Sequence, residues 1–168
     1  MLKTICFCIA TGFYSGLSPK APGTVGTLSC LLAVIAMINV TSIGLADLAV
    51  FTVLVTIIGT LACSYTLRNH PKCQNNKDPQ CIVIDEWAGF LVALTTGLAL
   101  SGVTATPSYG YLIASFLFFR IFDITKLGPI RRVEGLQGSL GIMADDLLAG
   151  LFAGGFVWSG GYFLPQLF

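Results

Sequence analysis

Five stretches of this chain, residues 28–46, 48–67, 87–106, 108–123 and 147–165, run with almost no charge. At about 1.5 Å of rise per helical residue, runs of this length cross a hydrocarbon layer of about 30 Å, the fourth only with little tilt or a locally thin bilayer. Inside lipid each backbone N–H and C=O must be satisfied within its own segment, and the runs lack the apolar–polar alternation of barrel strands, so they read as helices. The expected fold class is all-α: a polytopic helical membrane protein with about five transmembrane helices. At 168 residues and a mean hydropathy of +0.83, the chain has the size of one integral-membrane domain covering residues 1–168.

Ahead of the first run, "ICFCIATGFYSGL" (residues 5–17) is too short to span and lacks the small-residue cleavage pattern of a signal peptide. It is expected to persist as an N-terminal interfacial or re-entrant helix. All nine basic residues fall on one side of this topology: Lys3 and Lys20, then Arg68, Lys72 and Lys77, then Arg120, Lys126, Arg131 and Arg132. The positive-inside rule makes that side cytoplasmic, with the N-terminus inside and, for five spans, the C-terminus outside, so a reporter fused after Phe168 is expected to report the exterior. Tyr109, Tyr111, Trp158 and Tyr162 are expected in an outer aromatic belt and Trp87 in an inner one. A formal net charge of +1 supplies no basic face for nucleic acid.

The acids follow the bases. Asp47 alone falls outside, whereas Asp78, Asp85, Glu86, Asp123, Glu134, Asp145 and Asp146 share the cytoplasmic side. Three expected helix ends converge there: Asp85 and Glu86 open the third helix, Asp123 closes the fourth, and Asp145 with Asp146 opens the fifth. Carboxylates at a helix N-terminus cap free N–H groups and complement the dipole, which accounts for Asp85 and Asp145. Asp123 stands at a C-terminal end, where negative charge is disfavoured, and needs a partner such as Arg120, three residues earlier on the same face. Adjacent acids point about 100° apart on a helix, so capping covers at most one of each pair.

Carboxylates gathered near membrane depth repel one another unless a cation lies between them, and hard oxygen ligands in this number suit Mg²⁺. Arg120 and Lys126 flank Asp123, and "SPKAPGTVGT" (residues 18–27) brings Lys20, two glycines, Thr24 and Thr27 ahead of the first long helix. Glycine-rich backbone before a helix suits an anion. A metal beside an anion cradle at a cytoplasmic membrane face reads as chemistry on a phosphate, most simply a lipid phosphate.

Four segments carry a resemblance: "GLSPKAPGTVGTL" (16–28), "KDPQCIVIDEWAG" (77–89), "FRIFDITKLGPI" (119–130) and "GIMADDLLAG" (141–150). In order and spacing they resemble the four blocks of the phosphatidylglycerophosphatase A family. The resemblance implies a Mg²⁺-dependent enzyme of the bacterial cytoplasmic (inner) membrane that hydrolyses phosphatidylglycerophosphate to phosphatidylglycerol and inorganic phosphate in phospholipid biosynthesis. Its active site would face the cytoplasm. Asp85, Glu86, Asp123, Asp145 and Asp146 match the catalytic and metal-ligating acids; Lys20, Thr24, Thr27, Arg120 and Lys126 fall to substrate binding. Two positions depart from the family pattern, Leu127 where it usually has Pro and Ser139 where it has Gly. Attack by water and attack by an aspartate such as Asp123 are both open to this residue set.

Other chemistries fit less well. His70 is the single histidine, no D-x-D motif occurs, and no Cys is followed by five residues and an Arg. A CDP-lipid phosphotransferase would carry D-G-x-x-A-R, which is missing. The alternative from another functional class is a small cation transporter or channel component, but such a protein wants its ionisable groups near the bilayer midplane. Cys30 and Cys63 lie within spans as small apolar residues; Cys6, Cys8, Cys73 and Cys81 lie on the reducing side, where disulfides are not expected. His70, Cys73 and Cys81 share a loop at a spacing too irregular for zinc. Gly150 and Gly154 form a G-x-x-x-G suited to close packing within the chain, or to a homodimer seam.

Overall fold

The computed structural model describes residues 1–73, 79–133 and 138–163, the side chains of Arg132, Tyr162 and Phe163 excepted. Lys77, Asp78, Glu134 and Phe168 lie outside the described residues. Among the described residues seven helices follow one another: α1 (Leu2–Ala10), α2 (Pro22–Val40), α3 (Leu45–Asn69), α4 (Ile84–Ser101), α5 (Tyr109–Thr125), the short α6 (Ile130–Val133) and α7 (Ser139–Phe163), with a 3-10 turn at Ser15–Leu17. No strand occurs among the described residues, so the all-α expectation holds. Among the described residues three segments are long and apolar enough to cross a membrane: Pro22–Val40, Leu45–Asn69 and Ser139–Gly161. Their outward faces are apolar; Val50, Val53, Leu54, Ile57, Ile58 and Leu61 of α3 are all exposed, a surface that water would not tolerate and lipid does.

Two helix starts differ from the sequence reading, and both bear on the site. The segment "SPKAPGTVGT" is expected as a loop, yet α2 begins at Pro22, so Gly23, Thr24, Gly26 and Thr27 are helical. Proline is well placed at the first position, where its missing N–H would have had no helical partner. The two glycines make room for a neighbour: a Cβ on Gly26 would stand 2.6 Å from Cβ of Val83, and one on Gly23 would run into Oε1 of Glu86. Likewise α7 begins at Ser139 and not near residue 147, so Asp145 and Asp146 sit in its second turn and do not open it. At that depth neither can cap the helix N-terminus, and capping no longer accounts for either of them.

The core is built around α4. Its buried residues, among them Ile84, Asp85, Trp87, Ala88, Phe90, Leu91, Leu94 and Leu98, go all the way round the helix. α7 is its most extensive neighbour, with α3, α5 and α2 completing the ring. Glycine sets the distance between α4 and α7. A Cβ on Gly150 would collide with the Gly89 carbonyl, and a Cβ on Gly154 would lie 2.6 Å from Cβ of Thr96, so the G-x-x-x-G pair has an intramolecular role.

Burial also corrects two aromatic assignments. Trp87 and Tyr111 are buried and belong to the core, not to interfacial belts; the Trp87 indole N–H donates to Ser29 Oγ at 3.0 Å. Tyr109 and Trp158 remain exposed. At the N-terminus α1 packs on α3, and the chain then reverses through Gly12, Phe13 and Tyr14, all left-handed with φ of 53°, 55° and 70°. The reversal lets the Val83 N–H donate to the Ala10 carbonyl at 3.0 Å, tying the N-terminal segment to the start of α4.

Candidate active site

The first turn of α4 carries Asp85 and Glu86, and the second turn of α7 carries Asp146. One carboxylate oxygen from each comes within 4.8 Å of the other two. The glycine crossing makes this approach possible: Gly89 lies one turn beyond Asp85 and Glu86, Gly150 one turn beyond Asp146, and the two backbones touch there. A Cβ on Gly89 would also lie 2.7 Å from the Asp146 carbonyl oxygen. Larger residues at either position would separate the helices at the turn that holds the acids.

The other two acids are paired with cations at the edges of the cluster. Asp123, near the end of α5, binds Arg120 Nη1 through Oδ2 at 2.7 Å, as the spacing of three residues leads one to expect. Asp145 binds Lys126 Nζ through Oδ2 at 2.8 Å, joining α7 to the end of α5. Lys126 caps α5 in the left-handed region with φ of 44°, which costs a non-glycine residue about 1–2 kcal/mol. Ala21, before α2, is left-handed too, with φ of 46°. Both strained residues line the pocket, a common place for such strain.

The pocket has a volume of about 420 Å³. Asp85, Glu86, Asp123, Asp145, Asp146, Arg120 and Lys126 line it together with Ala21, Pro22, Gly23, Gln80, Ile82 and Ile142. All five expected acids and two of the five expected substrate-binding residues therefore meet in one cavity. Lys20, Thr24 and Thr27 are not among the lining residues: Lys20 is exposed just before Ala21, Thr24 is half-buried, and Thr27 is fully buried behind Arg120. Gln80 and Ile82 are lining residues that the sequence reading passed over, although both stand in the "KDPQCIVIDEWAG" segment. Leu127 and Ser139 do not line the pocket.

Five carboxylates against two cations leave the cavity with excess negative charge. Asp85, Asp145 and Asp146 are each less than a tenth exposed, a costly arrangement for like charges in a medium of low dielectric. Glu86 Oε2 and Asp146 Oδ2 are buried and make no hydrogen bond, as do the Asp145 Oδ1 atom and the Arg120 Nε–H. Buried acceptors left without donors on Glu86 and Asp146, two of the three carboxylates that converge with Asp85, fit a divalent cation of hard character. The donor set therefore suits a metal ion, and the two cations beside it suit a phosphate.

Comparison with known proteins agrees. The profile of the family described as Phosphatidylglycerophosphatase A matches residues 8–159. A protein of Bacteroides thetaiotaomicron provisionally named a phosphatidylinositol-3-phosphatase is 35% identical over 154 residues, covering 86% of each chain. The phosphatidylglycerophosphatase A of Haemophilus influenzae is 33% identical over 146 residues, covering 86% of this chain and 82% of its own. That of Escherichia coli is 32% identical over 158 residues, covering 94% and 84%. No solved structure matches the chain.

Proposed function

The chain belongs to the phosphatidylglycerophosphatase A family and is a phosphoric monoester hydrolase acting on phosphatidylglycerophosphate, and on that premise we propose that the acidic pocket between α4, α5 and α7 is its active site. The observation that carries this is the convergence of the Asp85, Glu86 and Asp146 oxygens beside two cation-bearing residues in a single cavity. Asp85, Glu86 and Asp146 would hold Mg²⁺, with Asp123 and Asp145 at the edge of the same site. Bound there, Mg²⁺ supplies positive charge against the carboxylates and the phosphomonoester dianion.

Arg120 and Lys126 do the rest of the charge work. In the resting site each neutralises one carboxylate, Asp123 and Asp145, and a phosphate arriving between them offers both cations a second acceptor. Phosphoryl transfer spreads charge over three equatorial oxygens, so fixed cations at the cavity wall stabilise the transition state more than the ground state. Lys20 and Thr24, which flank the lining residues Ala21, Pro22 and Gly23, would meet the polar remainder of the head group.

The membrane arrangement follows from the same residues. We place α2, α3, α4, α5 and α7 as five spans of the bacterial inner membrane, with the basic segments and the pocket on the cytoplasmic face. α4 and α5 have 18 and 17 residues, enough for about 26 Å of helix. The phosphatase matches leave the cation-transport alternative without support.

The test is phosphate release by the purified protein in detergent, with Mg²⁺ and then with chelator. The lipids are phosphatidylglycerophosphate, phosphatidic acid and phosphatidylinositol 3-phosphate. Release that requires Mg²⁺ and favours the first lipid is the expected result. Equal release with chelator present would remove the metal from the site, and preference for the inositol lipid would reassign the head group.

A further inference from the structure

We infer that Thr27 is a positioning residue, which holds the Arg120 guanidinium in its working direction from behind the pocket without touching the substrate. The inference rests on the reading of Arg120 as the residue that meets the phosphate, and concerns how its direction is fixed. Thr27 is 0% exposed and does not line the cavity, so a ligand in the pocket has no path to its hydroxyl. That hydroxyl has one proton, and it donates to the Gly23 carbonyl one helical turn earlier at 3.0 Å. Its remaining capacity is as an acceptor, and Arg120 Nη1 donates to it from α5 at 3.3 Å.

Arg120 is thereby anchored on two sides. Asp123 takes Nη1 at 2.7 Å from the same helix, and Thr27 takes it from α2. A guanidinium is a rigid plane, so a single ion pair at one nitrogen leaves it free to rotate about that contact, whereas a second acceptor on a different helix fixes the plane. Gly23 completes the arrangement by leaving space for two groups: a Cβ there would run into Glu86 Oε1 and stand 3.3 Å from Arg120 Nη2. The rotation set by Thr27 thus lays Nη2 along the first turn of α2, at the wall that Gly23 gives to the cavity. Thr27 and Gly23, four residues apart in "PGTVGT", serve the same guanidinium, one as acceptor and the other by absence of a side chain.

The experiment is a double-mutant cycle on phosphatidylglycerophosphate turnover, after wild-type Mg²⁺-dependent release has been measured so that failure of the phosphatase reading is seen separately. Thr27→Val keeps the side-chain shape and removes the acceptor; Thr27→Ser keeps the acceptor. Losing a hydrogen bond to a charged group lowers kcat by about tenfold in Thr27→Val, with KM within about threefold, and Thr27→Ser stays near wild type. In an Arg120→Lys background Thr27→Val has little further effect, because the group it orients is gone. If Arg120→Lys is too slow to assay, binding of orthovanadate is read by titration calorimetry on the same four proteins with the same expectation. If Thr27→Val does not fold, Thr27→Ala takes its place in the cycle. An equal loss in both backgrounds, an unaltered kcat in Thr27→Val, or a Thr27→Ser variant as impaired as Thr27→Val would each overturn the inference.

Discussion

The two ends of the α4–α7 pair are built on the same device and used for opposite purposes. At the far end Gly154 fits against Thr96 and Ala93, and Gly97 receives Val157; every group there is apolar or small, and the contact only stabilises. At the near end Gly89 and Gly150 bring the backbones closer still, but the turn before them carries Asp85 and Glu86 on one helix and Asp145 and Asp146 on the other. Close packing at that end holds like charges together instead of burying apolar surface. The difference teaches that the glycines are the structural part of the site: they impose the proximity that electrostatics alone would oppose.

Removing one charge from the near end has the largest effect. Asp146→Asn lowers kcat/KM by about a thousandfold, the scale of losing a preorganised electrostatic contribution, while its thermal midpoint in metal-free detergent rises because repulsion with Asp85 and Glu86 is relieved. A lowered midpoint under those conditions would mean that the carboxylates are not in conflict. Asp123→Asn comes next, with a loss of at least about a hundredfold in turnover and little change in expression or unfolding; full activity would remove Asp123 from the site.

Altering the spacer separates the two ends most directly. Gly150→Ala forces a Cβ toward the Gly89 carbonyl, which belongs to the backbone and cannot rotate away, and destabilises by about 1–3 kcal/mol; activity per folded molecule falls with it, because the acids are one turn away. Gly154→Ala, whose Cβ would meet Thr96, costs a similar amount, but phosphate release per folded molecule stays near wild type. If both variants lose activity equally, the contrast between the ends fails. The smallest effect is expected of Leu127→Ala. Leu127 is 55% exposed and outside the pocket, so stability within about 0.5 kcal/mol and turnover within about twofold are the outcomes to check by thermal unfolding and phosphate release.

Much of this was legible from residue order alone. The helical class, the apolar runs and the set of five acids follow from composition and position, because lipid leaves the backbone few options and buried charge is rarely idle. The starts of α2 and α7 were not legible. Both open with polar, glycine-containing turns, "PGTVGT" and "SLGIMADD", that a hydropathy reading assigns to loops, and only the neighbouring helix reveals why a glycine there is helical. Sequence alone does not separate glycines of a flexible loop from glycines of a close helix contact, since both demand the same residue, and Gly23 and Gly26 make such contacts with Glu86 and Val83. Trp87 was placed at an interface by its distance along the chain from lipid, whereas four surrounding helices decide that it is buried. Sequence shows the Thr27 hydroxyl near a cation without showing that it is buried behind Arg120 and does not line the cavity.

The central position of α4 has a consequence for how the protein is made. Its most extensive neighbour, α7, leaves the ribosome after α1 to α6, and until it arrives one whole side of α4, from Gly89 to Gly97, lacks its partner. Asp85 and Glu86 meanwhile lack both the neighbouring carboxylate of Asp146 and the Lys126–Asp145 pair that ties α5 to α7. A nascent chain halted before α7 is thus both incompletely inserted and chemically silent, and it presents membrane quality control with an unescorted pair of acids. Emergence of α7 and assembly of the acidic pocket become one event.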